Sequence, residues 1–500
     1  MRQRIRPKPQ TAWPELVVST AETSDAIARA VAAGELKALA RPFYSPALDD
    51  EPAQIIRRNA WRVIGALVPG AIISCRTALE GRPATDGTVF LVSAGRYSRD
   101  LPGLRIRASA GLGPQPDDTL FVAGLHLASR ARAMLESLRP SRARGTVARG
   151  YTPAALEEWL EKDFQTGGEV ALNRIRDQAR TLGPLLDAQR EFAVLESLIG
   201  GLMGTRPNTP TSASAIARLI GRPYDVERIA LFDRLFQTLQ DYSGLQRKSD
   251  VMSSDEFATT SFFDAYFSNF IEGTEFEVEE ARAIVFDQVI PQSRPLDAHD
   301  VLGTFAVVGH RSTMQQSVRD DANADVFLQR LRMLHMRIMS QRTDVRPGMF
   351  KVTANRAGDT RFVAPDRVIG TLDYGFELVR GMATPFQRAA GIMFVLSEVH
   401  PFDDGNGRIA RALMNAELVG AGEARIIIPT VFRDDYLTGL RTLSRSGEPT
   451  PFIQVLDFAQ RWVAALDWSN FQTVQDTMRT TNAFERPSST IRLGMPSIRT

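Results

Sequence analysis

A glycine-rich loop, residues 400–408, joins two helical patterns and constrains the fold more than any other stretch of the chain. The upstream pattern opens with N-terminal signals: Thr384 as the cap, Pro385 at the first helical position and Gln387 placed to complete a capping box. Pro401 ends this helix, because a proline disfavours helical geometry at the residue before it. The sequence therefore predicts a helix that stops at the loop.

A second helix is predicted to begin near Arg408. Apolar residues recur with helical spacing at Ile409, Leu413 and Ala416, and Gly420 is the expected C-cap. The loop is thus predicted to lie at the N-terminus of a helix, where the backbone carries a partial positive charge.

Loop and helix together contain residues suited to an anion. Gly405, Asn406 and Gly407 allow a tight turn that directs N–H groups outward at the helix N-terminus. Arg408 and Arg411 lie three residues apart, so both side chains reach one end of the helix and suit phosphate oxygens. The pattern predicts a phosphate site.

Two further side chains suit chemistry beside a phosphate. Asp404 offers the hard oxygen ligand of a magnesium ion that is shared between one carboxylate and substrate phosphates. His400 takes up a proton near neutral pH, as a general base must. The alternative is that the loop is a solvated turn and the histidine is structural. The combined spacing favours a site for nucleotide phosphates, metal and base.

Residues 400–411 follow the pattern His-x-Phe-x-Asp-Gly-Asn-Gly-Arg-x-x-Arg, which resembles the signature of Fic-domain proteins. The resemblance implies a mainly α-helical core, a helical bundle with a β-hairpin flap, over residues 215–470. It implies transfer of AMP from ATP, with Mg²⁺, to a Ser, Thr or Tyr hydroxyl of a target protein. A glycine at position 405, where phosphate-transferring members carry alanine, favours AMP transfer.

The resemblance also assigns roles. His400 would deprotonate the target hydroxyl, Asp404 would hold magnesium, and Arg411 would hold the terminal phosphate. The remaining phosphate contacts would come from Gly405, Asn406, Gly407 and Arg408.

Ser268, Glu272 and Gly273 resemble the inhibitory motif of the same family, on a helix near residues 257–273. In that family the glutamate pairs with the second motif arginine, here Arg411, and blocks productive seating of the ATP γ-phosphate. The alternative is an ordinary helix end with a solvated glutamate.

A β-hairpin is predicted between the two motifs. Residues 349–354 and 360–363 alternate with period two around a turn at residues 355–359. In the family a hairpin here is the flap that aligns the target by strand addition. A purely structural hairpin is the alternative.

Charge is distributed unevenly, although the net charge of the 500 residues is only +2. Residues 1–150 contain 22 Lys and Arg against 13 Asp and Glu, whereas the remainder contains 38 against 45. A basic first part suggests a polyanion-binding module. Residues 1–138 are predicted to form an α+β domain with helices at 24–33 and 53–67, the start of a third at 72–79, and strands at 36–44, 88–92, 104–107 and 119–122.

This order of elements resembles the winged-helix N-terminal domains of type IV abortive-infection antitoxins, which are bacterial transcriptional regulators. The resemblance implies that residues 1–138 bind DNA. The alternative is a basic domain that contacts a protein partner or packs on the Fic core. Residues 139–214 are predicted to be a helical connector with flanking linkers, and residues 471–500 a mobile tail.

Other features limit the cellular setting. Cys75 is the only cysteine, so no intrachain disulfide forms and a reducing compartment is expected. No apolar run approaches the roughly 18–20 residues of a membrane helix, and the first residues lack the apolar core of a secretion signal. A cytoplasmic bacterial protein with no membrane partner is expected, with secretion by a signal-free route and a homodimer left open.

Three alternatives to AMP transfer remain at this point. The same site removes AMP, with Glu272 positioning water; or the chain is chiefly a DNA-binding regulator of a toxin–antitoxin kind; or it is a catalytically silent scaffold. The complete motif argues against the last.

Overall fold

The computed structural model describes residues 13–140, 147–205, 212–242, 246–249, 252–358, 360–488 and 490–496. The chain divides into two compact units, Met1–Ile216 and Ala217–Thr500. The first combines helices with β-sheets, and the second is mainly helical with one hairpin, as the sequence predicts. No helix in the described part of the chain is both long and apolar enough to cross a membrane.

The first unit contains two sheets. A three-stranded antiparallel sheet has the order β1-β3-β2, and a six-stranded mixed sheet has the order β6-β7-β5-β4-β9-β8. The central β5 is buried on both faces except at its last residue, whereas β7 alternates between buried and more exposed positions. Their bounds are β1 Val17–Val18, β2 Lys37–Ala40, β3 Phe43–Ser45, β4 Ile72–Ile73, β5 Thr88–Ser93, β6 Tyr97–Leu101, β7 Leu104–Ala110, β8 Thr119–Leu120 and β9 His126–Leu127.

Helices α1 to α7 complete the first unit, and α8 spans the boundary between the units. Leu156 and Leu160 of α6 and Leu195 and Ile199 of α7 lie in one hydrophobic cluster with α5. The bounds are α1 Ser24–Ala32, α2 Pro52–Arg58, α3 Ala60–Leu67, α4 Cys75–Glu80, α5 Arg130–Leu138, α6 Pro153–Leu185, α7 Gln189–Leu202 and α8 Ala213–Leu219.

Some N-terminal predictions need correction. The helix predicted at 53–67 is two helices, because the backbone leaves helical geometry at Asn59 (φ −105°, ψ 17°). The helix predicted at 72–79 is a short strand, β4, followed by α4, because Ile72 and Ile73 pair with β5 and β9. The strand predicted at 36–44 is two strands, β2 and β3, which pair antiparallel. Strands β1, β6 and β9 were not predicted. The winged-helix assignment stays a prediction.

The second unit is built around α16 Pro385–Val399, which is mainly apolar and buried on nearly every residue. It packs against α17, α15 and α9. The other helices are α9 Val226–Gln240, α10 Ser254–Ile271, α11 Val278–Asp287, α12 Pro295–Val308, α13 Arg311–Met314, α14 Ala324–Ile338, α15 Val368–Gly381, α17 Asn406–Gly420, α18 Arg433–Ser446, α19 Thr450–Ala464 and α20 Phe471–Thr480.

The capping box predicted at Thr384 and Gln387 is confirmed at the start of α16. The backbone N–H of Gln387 donates to Thr384 Oγ1 (3.2 Å), and the Thr384 N–H donates to Gln387 Oε1 (3.0 Å). Helix α17 begins at Asn406, two residues before the predicted start. Gly420 is inside this helix rather than its cap; the positive φ (71°) that ends it occurs at Gly422.

The predicted hairpin is present but shifted. Its strands are β10 Arg356–Ala357 and β11 Thr360–Arg361, so residues 349–354 precede it. Residues after 470, predicted as a tail, include α20, whose Val474 and Met478 are buried in a cluster with Trp462 and Phe263. Apolar spacing at 474 and 478 places both side chains on one helix face.

Candidate active site at the α16–α17 loop

The loop between α16 and α17 is closed by the side chain of Asn406. Its amide nitrogen donates to the carbonyl of Phe402 (2.9 Å), and its Oδ1 accepts from the Phe402 N–H (2.8 Å). The Asn406 side chain is buried, so it supports the loop rather than facing a ligand. Gly405 precedes it with φ 74°, a conformation that favours glycine.

His335 on α14 also holds the loop in place, and it was not predicted as part of the site. Its ring stacks on Phe402 with centroids 3.6 Å apart. Its Nδ1 accepts from the Gly348 N–H (2.9 Å), so the proton resides on Nε2, which donates to the Asp404 carbonyl (2.9 Å). Burial lowers the pKa of His335 to about 4, which keeps this neutral tautomer.

His400 directly follows α16 with φ 49°. Its ring stacks on Phe362, beside the hairpin, with centroids 3.8 Å apart. Nδ1 lies 3.4 Å from the Ser397 carbonyl, which only an N–H can approach favourably, and this leaves the Nε2 lone pair as the proton acceptor. Burial lowers the pKa of His400 to about 4, so the imidazole is a neutral base at physiological pH.

Arg408 is almost completely buried and lies between two carboxylates. Its Nη1 is 3.1 Å from Asp300 on α12, and its Nη2 is 3.3 Å from Asp404. Asp300 also pairs with Arg342 (2.7 Å). Among the described residues no acceptor bonds the buried Nε of Arg408. Arg408 belongs to the first turn of α17, whose N–H groups have no preceding helical carbonyl.

Arg411 points toward α10 instead. Its Nη2 donates to Glu272 Oε1 (2.6 Å) and to the Ser268 carbonyl (2.8 Å), and its Nε donates to Ser268 Oγ (2.9 Å). Glu272 caps the C-terminus of α10, and Gly273 follows it with φ 91°. Arg408 and Arg411 therefore have different carboxylate partners and do not share one anion in this state.

The Glu272 carboxylate lies against the first turn of α17. A Cβ atom added at Gly407 would be only 2.1 Å from Glu272 Oε1 and 3.0 Å from Arg411 Nη1. Gly407 therefore leaves the space that this carboxylate fills. A negative group at a helix N-terminus is stabilised by the helix dipole. The protein's own glutamate thus lies at the anion site that the sequence predicts.

The segment before the hairpin is tied to the loop. The buried Lys351 donates from Nζ to Asn355 Oδ1 (2.7 Å) and to the Val399 carbonyl (3.1 Å). Asn355 in turn donates to the Phe402 carbonyl (3.0 Å). Burial lowers the pKa of Lys351 to about 8. These contacts hold the base of the hairpin beside His400.

The residues present fit magnesium and nucleotide phosphates. No group of three or more metal-ligating side chains occurs in the part of the chain that the structure describes. A divalent ion here would be shared between one carboxylate, substrate phosphates and water. Asp404, half exposed at the mouth of the loop, suits that arrangement. The unmatched Arg408 Nε and the first turn of α17 suit phosphate oxygens.

Sequence reasoning found the loop residues but not their supports. His335, Asp300 and Lys351 are distant from the motif in sequence and have no characteristic spacing to it. Their contribution is visible only because α12, α14 and the pre-hairpin segment pack around the loop.

Fold and site together define a mainly helical second unit with a candidate anion site at the N-terminus of a buried helix. Comparison with known proteins is consistent with this class: residues 325–418 match the family model of the Fic/DOC family. These residues contain the whole loop. The chain therefore contains a segment that matches the Fic/DOC family.

Several curated proteins are similar over part of their length. The chain is 27% identical over 228 residues to the protein adenylyltransferase fic-1 of Caenorhabditis briggsae, covering 45% of this chain and 43% of the relative. It is 29% identical over 198 residues to the protein adenylyltransferase Fic of Nematostella vectensis, covering 39% and 45%. The chain thus spans less than half the length of these relatives.

Among solved structures, residues 134–508 of Fic-1 from Caenorhabditis elegans are similar at 18% identity, with a TM-score of 0.37 and coverage of 65% of this chain and 97% of that one.

Proposed function

We propose that this protein is an adenylyltransferase that transfers AMP from ATP to a hydroxyl side chain of a target protein and is restrained by Glu272. The observation that carries the proposal is the anion site at the first turn of α17, filled by the Glu272 carboxylate and close in sequence to the neutral base His400. The curated relatives named as protein adenylyltransferases support it.

In the proposed reaction, His400 Nε2 accepts the proton of the target hydroxyl as its oxygen bonds to the α-phosphorus of ATP. The bond from that phosphorus to the bridging oxygen breaks, and pyrophosphate leaves. The first turn of α17 and Arg408 would hold the phosphates, and Asp404 would ligate magnesium, which neutralises phosphate charge when bound. Asn406 and His335 keep the loop in place.

Glu272 explains the restraint. Arg411 is the cation expected to hold the terminal phosphate, but its Nη2 already donates to Glu272. An incoming γ-phosphate must displace a carboxylate from a buried guanidinium, and this weakens productive ATP binding.

Label transfer from α-labelled ATP with magnesium, into bacterial lysate and onto the protein itself, tests the proposal. Glu272→Gly is expected to raise the incorporated label, and the double variant Glu272→Gly/His400→Ala to abolish it. Absence of label in all three proteins would refute AMP transfer.

Removal of AMP is a second candidate, because the Glu272 side chain is about one quarter exposed (27%) and lies beside the proposed phosphate site. There the carboxylate would orient a water molecule. Wild-type protein that releases AMP from a modified target, and loses this activity in Glu272→Gln, would establish this reaction.

DNA binding by the first unit rests on the basic charge of residues 1–150. Binding of the full chain to duplex DNA should weaken steeply with salt if phosphate contacts carry it. A salt-insensitive or absent interaction would remove DNA as a partner.

A further inference from the structure

The hairpin beside His400 places two arginines directly opposite each other. Arg356 pairs with Arg361 in the antiparallel register of β10 and β11, and both side chains are exposed. Like charges directly opposite on neighbouring strands are unfavourable. No described residue forms an ion pair with either guanidinium, and Asp359 lies outside the described residues. Arg356 and Arg361 therefore concentrate positive charge on one face of the hairpin.

The backbone pairing tells which edge of the hairpin is open. The Phe362 N–H donates to the Asn355 carbonyl (3.3 Å), so the next pair along, Arg356 with Arg361, is of the non-hydrogen-bonded kind. In such a pair the N–H and C=O groups point away from the partner strand. The Arg361 carbonyl accepts from the Arg228 guanidinium, which covers that edge, whereas the Arg356 edge is left for another strand.

Two further arginines, Arg228 and Arg445, contact the hairpin. Arg228 pairs with Glu398 (3.3 Å), and the Arg445 guanidinium lies 3.5 Å from Thr360 Oγ1. A strand added along the Arg356 edge would place every second side chain on the face that carries the two hairpin arginines. Acidic side chains at these positions would relieve the repulsion between Arg356 and Arg361.

The hairpin lies next to the candidate active site. Phe362, directly after β11, stacks on the ring of His400. A segment bound to the hairpin is therefore held next to the proton acceptor. We propose that the hairpin selects an extended acidic segment of the target protein, bound as a strand along the Arg356 edge with its carboxylates beside Arg356 and Arg361. The inference rests on the proposed function for what happens to the bound segment.

Direct binding tests the docking step without any transfer reaction. Three fluorescein-labelled peptides of one length and without hydroxyl residues would be compared on the full chain: an acidic peptide, the same peptide with Asn and Gln in place of Asp and Glu, and a lysine peptide. Anisotropy is expected to give about tenfold tighter binding of the acidic peptide than of its amide counterpart. The difference should shrink from low to physiological ionic strength, where the screening length is about 8 Å.

Charge reversal identifies the surface. Arg356→Glu/Arg361→Glu is expected to abolish the acidic preference and favour the lysine peptide. The matched control Arg337→Glu/Arg441→Glu changes net charge equally at two exposed arginines on α14 and α18, and should leave the preference intact. Equal loss in both double variants would overturn the inference, because only overall charge would then matter.

Transfer onto threonine-containing versions of the peptides separates the two proposals. In Glu272→Gly, acidic peptides should show about tenfold higher kcat/KM than their amide counterparts. Transfer without charge preference would overturn the acidic-segment inference, whereas charge-selective binding without any transfer would support docking and count against AMP transfer. A labelled oligonucleotide that binds tighter than the acidic peptide and displaces it would overturn the inference in favour of nucleic acid.

Discussion

Replacing Glu272 by glutamine changes the charge at the anion site with almost no change in size. Arg411 is buried, and Glu272 Oε1 is its only carboxylate contact in the described structure, at 2.6 Å. A hydrogen bond to a charged group contributes about 1.5–3 kcal/mol and a neutral one about 0.5–1.5 kcal/mol. Because Glu272 is about one quarter exposed (27%), the lower ends apply, and Gln should weaken the restraint by about 1 kcal/mol.

That difference corresponds to about a fivefold gain in ATP affinity, while Glu272→Gly, which removes the whole contact, should give tenfold or more. The ranking is the main test: wild type, then Gln, then Gly. Calorimetric titration with ATP and with ADP adds a second requirement. ADP has no γ-phosphate to compete with Glu272, so its affinity should be the same in all three proteins.

Single-turnover transfer from α-labelled ATP should follow the same order. The reasoning is refuted if Gln behaves as wild type, because charge would then play no part. It is equally refuted if ADP affinity rises as much as ATP affinity, because Glu272 would then oppose nucleotide binding generally and not the terminal phosphate.

Three other perturbations test the site. His400 must be neutral to accept a proton, so kcat/KM of Glu272→Gly should fall only as the pH drops through about 4. Phe362→Ala exposes the imidazole ring and should shift this fall toward pH 6.5, the ordinary pKa of histidine. A fall near pH 6.5 with Phe362 in place would contradict the buried base. Asn406→Ala leaves the Phe402 N–H unpaired and should lower the free energy of unfolding in urea by about 2–3 kcal/mol, with loss of AMP transfer. An unchanged urea midpoint would show that the loop closes without the Asn406 side chain. The pKa of His335 is lowered in the folded protein, so below pH 6.5 the unfolded state binds protons more readily. The free energy of unfolding should therefore fall from about pH 6.5 to 4, and fall less steeply in His335→Gln. Identical pH dependence of the two proteins would show that His335 does not contribute.

Local signals in the sequence were sufficient to predict the ends of the helices that form the site. The Thr384–Gln387 capping box, the helix stop before Pro401 and a helix end near Gly273 were all predicted, because each depends on residues within one turn of each other. The glycine at 405 was likewise readable, since its positive φ follows from a tight turn. Where spacing alone was ambiguous, as at residues 72–79, strand pairing decided the outcome.

Tertiary structure alone decided how the site is assembled. Glu272 and Arg411 are 139 residues apart, and their contact depends on α10 packing beside α17. The same holds for Asp300 at Arg408 and for His335 beneath the Asp404 carbonyl. The sequence determined the loop of residues 400–408 because its residues are adjacent along the chain. The residues that contact this loop and its helix, Glu272, Asp300 and His335, come from distant segments. Their positions are fixed by the packing of a whole hydrophobic core and not by any local preference.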